Sequence, residues 1–188
     1  MMRLAVLLSG RGSNFQAIHE AIQRGELKAE IVCVISNRPD APGIQRAREW
    51  GYDAHVVDHK QFATRDAHEA EVLRALDNAR PDYIALAGYM RLLSPSFVER
   101  YRNRILNIHP SLLPSFPGVD AQAQAIKHGV KISGCTVHVV DENLDAGPIL
   151  VQRAVEVRDE DTPESLAARI LVEEHKAYVE ALKKLEGQ

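Results

Sequence analysis

Apolar residues in this chain fall in short unbroken runs, and between the runs they recur at helical spacing. Residues 4–8 (LAVLL), 31–35 (IVCVI) and the span 82–87 (DYIALA) are the clearest runs. A strand buried on both faces of a parallel sheet reads this way, whereas a half-exposed strand alternates. After the first run, Phe15, Ile18 and Ile22 mark one helical face, closed by Gly25. Residues 44–50 predict a short helix ended by Gly51, and 55–58 a short third strand. Residues 66–79 are strong helix formers with an apolar face at Ala70, Leu73 and Leu76. Strands alternating with helices over short connections predict a parallel sheet with right-handed crossovers.

The second half changes character. Ser94 and Pro95 are a cap and first-turn pair for a short helix to Tyr101, and residues 105–108 predict a fifth strand. A helix over 122–128 closes at Gly129. Residues 132–141 alternate, with Cys135, Val137 and Val139 on one face and Thr136, His138 and Val140 on the other. Two unlike faces predict an antiparallel strand. Another strand follows at 149–157. Thr162, Pro163 and Glu164 then open a last helix to about Leu185. No repeat, low-complexity stretch or linker interrupts the chain. The expectation is one α/β domain over residues 1–188, a mostly parallel mixed sheet flanked by helices, with a Rossmann-like mononucleotide-binding unit in its N-terminal half.

Composition narrows the class. The 188 residues suffice for a sizeable core, and a net charge of −3 gives no basic face for nucleic acid. The two cysteines, Cys33 and Cys135, lie in apolar runs and predict buried free thiols in a reducing compartment. No apolar segment approaches membrane-spanning length, and the first run is too short for a signal peptide, so a cytoplasmic protein is expected.

Three stretches carry candidate chemistry. Ser9-Gly10-Arg11-Gly12-Ser13-Asn14 lies between a strand and a helix, where backbone amides and a helix N-terminus hold phosphate. Phe15 takes the third glycine position of a dinucleotide fingerprint, and strand two ends in Ser36-Asn37 rather than an acid, so a phosphate monoester fits better. A tight turn needing glycine explains the same residues equally well. Asn107 and His109 stand at i and i+2 near the end of strand five, on one face of an extended backbone, and Pro110 and Pro114 follow. An amide donor beside an imidazole can stabilise an oxyanion and move a proton. Taken alone, the pair is better explained by a satisfied core histidine and a turn asparagine. Asp145, in the polar loop 141–148, would favour the imidazolium if placed against His109. Ser111 lacks a nucleophile-elbow setting and reads as a turn hydroxyl. His55 and His59 have i, i+4 spacing but do not share a helix, so no metal site is expected.

Asn107-Ile108-His109-Pro110-Ser111-Leu112-Leu113-Pro114, with Asp145-Ala146-Gly147-Pro148 downstream, resembles the formyltransferase family that uses 10-formyltetrahydrofolate. The N-terminal loop, Gly88-Tyr89-Met90-Arg91-Leu92-Leu93-Ser94-Pro95 and Phe116-Pro117-Gly118 extend the resemblance from end to end. It implies the formyltransferase fold and transfer of a formyl group to the glycinamide amine of 5′-phosphoribosylglycinamide, in de novo purine synthesis. Asn107 would bond the formyl oxygen, His109 act as general acid, and Asp145 pair with His109. Gly12, Ser13 and Asn14 would hold the 5′-phosphate, with Pro110 and Glu174 near the glycinamide end. Met90, Arg91, Leu92, Leu93 and Asn107 would line the folate pocket, and Arg65 would reach the folate. The implied partners are small molecules, with no metal, nucleic acid or membrane, in a monomer or homodimer. Rival readings are a formylfolate hydrolase, a methionyl-tRNA formyltransferase lacking its RNA-binding extension, and a non-catalytic phosphate-binding module.

Overall fold

A computed structural model describes residues 1–187. Its strands are β1 (Met2–Leu8), β2 (Ala29–Ser36), β3 (Ala54–Val56), β4 (Tyr83–Leu86), β5 (Ile105–His109), β6 (Ile132–Val139) and β7 (Ile149–Glu156). They form a seven-stranded sheet in the order β3-β2-β1-β4-β5-β6-β7. Pairing is parallel from β3 through β5 and antiparallel for β5–β6 and β6–β7. The helices are α1 (Ser13–Gln23), α2 (Pro42–Glu49), α3 (Arg65–Ala79), α4 (Pro95–Arg100), α5 (Ala121–His128) and α6 (Pro163–Leu185).

The unbroken apolar runs have the meaning expected of them. In β1, Leu4, Val6 and Leu8 enter one core with α1, α2, α5 and α6, while Ala5 and Leu7 enter a second core with α3 and α4. All five are fully buried. Each buried Leu or Val is worth about 1.5–3 kcal/mol, so neither face of β1 can be polar. Strand order reverses between β1 and β4, because β2 lies on one side of β1 and β4 on the other. Ligands of open α/β sheets bind beyond the strand carboxyl ends at such a switch point.

Several boundaries differ from expectation, among them the end of β6, at Val139 rather than residue 141. Helix α1 begins at Ser13, two residues before its first apolar contact at Phe15, because Gly12 in the left-handed region serves as its N-cap. Helix α2 starts on Pro42 rather than Ile44, with proline in the first turn. β3 stops at Val56, because the Asp58 carboxylate accepts from the Lys60 amide and caps a 3-10 turn over His59–Gln61. Helix α6 opens with a reciprocal Thr162–Ser165 capping box. Its Tyr178 is fully buried, and the hydroxyl donates to the carbonyl of Leu86 in β4 (2.9 Å) or of Leu106 in β5 (3.1 Å). No helix among the described residues is long and apolar enough to cross a membrane.

Candidate active site

The glycine loop leaves β1 at the switch point. Gly12 adopts φ 69°, and no side chain caps α1, whose first turn holds no acid. The amides opening this helix therefore lack intrahelical partners and are placed for an anion. A second helix braces the loop from behind: Gly43 of α2 donates to the Gly10 carbonyl at 3.0 Å. A Cβ at Gly43 would lie 2.9 Å from the end of the Leu8 side chain and 3.0 Å from that carbonyl, so a larger residue would make both give way. The Arg46 guanidinium adds a 2.9 Å bond to Gln16 and a 3.4 Å bond to the Arg11 carbonyl.

Asn14 is not turned out to the loop. Its side chain is buried and donates to the Glu174 carboxylate of α6 at 3.1 Å. Two residues expected at one substrate, 160 positions apart in sequence, thus touch directly. Burial pushes the Glu174 carboxyl above its ordinary range, and the Asn14 bond offsets part of that. The Asn14 Oδ1 atom is buried without a partner.

Asn107 and His109 lie in β5, opposite His138 and Thr136 of β6. His109 and Asp145 meet: Nδ1 stands 3.6 Å from the carboxylate, with side chains only 7% and 8% exposed. β6 ends at Val139, opposite Leu106, and the loop after it folds back so that Asp145, at φ 50°, reaches His109. Asp145 also accepts from the Gly118 amide at 2.9 Å. His109 Nε2 lies 2.8 Å from the Phe116 carbonyl and therefore donates to it. Ser111 reaches the same turn, donating to the Ser115 carbonyl at 2.5 Å, with Phe116 oxygen at 3.3 Å. This is the backbone role expected of it.

Several partners here escaped the sequence reading. Thr136, wholly buried, donates to the Ser111 carbonyl (2.7 Å) and accepts from the Leu113 amide (3.0 Å) and Gln152 (3.1 Å), locking the turn after His109. His138 is buried, and desolvation holds its pKa below the ordinary imidazole value despite the opposing pull of Asp145. Its Nδ1 faces the Val139 carbonyl at 3.2 Å and its Nε2 faces Asn107 Nδ2 at 3.5 Å. The neutral tautomer that satisfies both contacts carries its proton on Nδ1, so Nε2 accepts from Asn107. The signal for these partners was the β5–β6 register, which alternation alone does not supply.

The loop 88–93 leaves β4 at the same end of the sheet. Met90 and Leu92 are 79% and 69% exposed, while Tyr89 and Leu93 pack on the core under α3 and α4. The charge of Arg91 acts on His68 of α3. Arg65 opens α3 on the surface. His55 pairs with Asp53 at 2.9 Å, and His59 lies 3.0 Å from the Asn37 carbonyl. Cys33 and Cys135 are buried, with thiols pushed up to about 12 by burial, which makes them unreactive.

A mononucleotide-type switch point thus stands at one end of the sheet with a buried imidazole–carboxylate pair and a neighbouring amide. The family described as Formyl transferase matches residues 2–182, and the chain belongs to that family. It is 41% identical over 187 residues to the phosphoribosylglycinamide formyltransferase of Bacillus subtilis, covering 100% of this chain and 96% of that one. The trifunctional purine biosynthetic protein adenosine-3 of Drosophila melanogaster is 50% identical over 96% of this chain, which spans only 14% of that longer protein. Among solved structures, glycinamide ribonucleotide transformylase 1 from Geobacillus kaustophilus superposes with a TM-score of 0.95 at 46% identity, covering 100% of both chains.

Proposed function

We propose that this chain transfers the formyl group of 10-formyltetrahydrofolate to the glycinamide amine of 5′-phosphoribosylglycinamide. The observation that carries the reading is the buried His109–Asp145 pair beside Asn107, at the same sheet edge as an uncapped helix N-terminus. Relatives of which this chain covers 84% and 96% are named phosphoribosylglycinamide formyltransferase, which supports the reading.

The amine attacks the formyl carbon directly, forming the new C–N bond and a tetrahedral oxyanion. Asn107 has one Nδ2 hydrogen turned to His138 and a second for that oxygen. A preorganised donor of this kind is worth about 3 kcal/mol, or at least a hundredfold in rate. His109 delivers a proton to the intermediate. Its Nε2 is held by the Phe116 carbonyl, so Nδ1 is the nitrogen left for chemistry. The 3.6 Å separation from Asp145 exceeds a direct hydrogen bond and leaves that proton transferable, directly or through water. The C–N10 bond then breaks, N10 takes up a proton and the attacking amine gives one up, so protons balance. Aligning two substrates supplies much of the acceleration, and no enzyme nucleophile is required.

The amides of Ser13 and Asn14, with Gly12, hold the 5′-phosphate. Pro110 and Glu174 bound the glycinamide end. Met90, Arg91, Leu92 and Leu93 face the folate, whose rings supply the apolar cover that Met90 and Leu92 lack, and Arg65 lies toward its tail. Purified protein mixed with 10-formyltetrahydrofolate tests the reading. Tetrahydrofolate released only when the ribonucleotide is present supports it. Release without the ribonucleotide means a hydrolase, and no release with either means a binding module.

A further inference from the structure

Ser9 lies between the two loops that the proposed function assigns to different substrates. It is the first residue of the glycine loop, directly after β1, and its amide donates to the Gly88 carbonyl at 3.1 Å. Its hydroxyl accepts from the Met90 amide at 2.8 Å and donates to the Asn37 side-chain carbonyl. Asn37 in turn lies 3.2 Å from the His59 ring. A line of polar contacts thus crosses the carboxyl ends of β4, β1 and β2. Ser9 and Asn37 are only 3% and 2% exposed, so water does not replace these bonds when one is removed.

We propose that the Ser9 hydroxyl, oriented by Asn37, is a positioning group that fixes the folate-side loop 88–93 against the phosphate-side loop and so sets the spacing between the two substrates. Burial alone does not fix the middle of that loop, since Met90 and Leu92 project outward. The far end has its own anchor, where the buried Glu69 carboxylate accepts from the Ser94 amide at 2.8 Å and from its hydroxyl. The near end has Ser9. An alanine there leaves the Met90 amide without its acceptor and the Asn37 carbonyl without its donor, so the loop gains freedom that folate binding must remove.

The proposal rests on the reading of loop 88–93 as a folate wall. The experiment compares wild type, Ser9→Ala, Asn37→Ala and Thr162→Ala, the last a remote helix-cap loss that controls for general destabilisation. Steady-state kinetics with both substrates are combined with amide hydrogen exchange. Ser9→Ala is expected to raise KM for the folate about fivefold to thirtyfold, the range of one lost buried contact, with the ribonucleotide KM within about twofold. Exchange across 88–93 quickens. Asn37→Ala moves both readouts the same way by less, and Thr162→Ala moves neither. A folate KM within about twofold of wild type in Ser9→Ala, or both KM values rising together, overturns the proposal. Should Ser9→Ala not fold, the same criteria applied to Asn37→Ala decide. If wild type shows no formyl transfer, the proposed function fails, and exchange at Met90 alone then judges the strap, with unchanged protection in Ser9→Ala overturning it.

Discussion

At the scale of single residues, the His109–Asp145 pair is where a small change should have the largest effect on rate. Asp145→Asn keeps the side chain's shape and the acceptor for Gly118 but removes the charge facing Nδ1. It is expected to lower kcat about a hundredfold or more while substrate KM values stay within a few-fold, as for loss of an interaction made in the transition state. Near-normal kcat in a folded Asp145→Asn would refute the assignment. Ser111→Ala, which loses only turn contacts, should keep most of its turnover and unfold at slightly lower denaturant. Gly147 has a different weight. A Cβ there would lie 1.7 Å from the Val139 carbonyl oxygen, so the backbone must move, and with it the loop that presents Asp145. Gly147→Ala should therefore cost both stability and kcat, read by urea unfolding and steady-state assay; unchanged kcat would show that the loop adapts without moving Asp145. Asn107 and His109 could be read from the chain because polar groups follow an apolar run there, whereas Asp145 lies in an acid-rich loop where no such interruption marks it. Their supports could not. His138 and Thr136 matter only through which residue of β6 faces which residue of β5, and no local pattern encodes that register.

At the scale of elements, the unbroken runs and helical faces gave the strand and helix order, because double-sided burial leaves so plain a mark. Boundaries shifted where capping decided them, as at Gly12 and Asp58, since a cap is set by one hydrogen bond rather than by periodicity. Contacts between distant elements were hidden as well. That the Asn14 side chain of α1 would bond Glu174 of α6, leaving only its backbone amide toward the loop, follows from the two helices packing side by side on one face of the sheet. Helix α6 is held to the strands by more than apolar area. Its Tyr178 hydroxyl reaches carbonyls of two neighbouring strands, one helical turn after Glu174. Tyr178→Phe removes that donor in a buried site and should destabilise the protein by about 1–3 kcal/mol, measured by denaturant unfolding. A midpoint equal to wild type would mean that the carbonyls need no such donor.

At the scale of the whole molecule, buried and half-buried imidazoles shape the response to acid. His19, His68, His138 and His175 all have pKa values held below the ordinary 6.5, with burial the first cause in each. The unfolded chain therefore binds more protons than the folded one as pH falls through 6.5, and stability must drop in that direction until the lowered folded values are reached. Buried Glu174 acts oppositely: its stabilisation sets in as pH falls through its raised folded value and is complete near the ordinary 4.5, so one carboxyl opposes four rings. The urea midpoint should thus be lower at pH 5.5 than at pH 7.5, and a flat profile across that range would contradict the burial of these rings.

The contact between Gly43 and the Gly10 carbonyl has a kinetic corollary. Helix α2 is wedged behind the loop proposed to hold phosphate, so that loop is already shaped before anything arrives. Capture of the phosphorylated substrate should then be a single collision-governed event, its observed rate rising linearly with concentration in stopped-flow traces. A plateau would expose a rearrangement preceding capture.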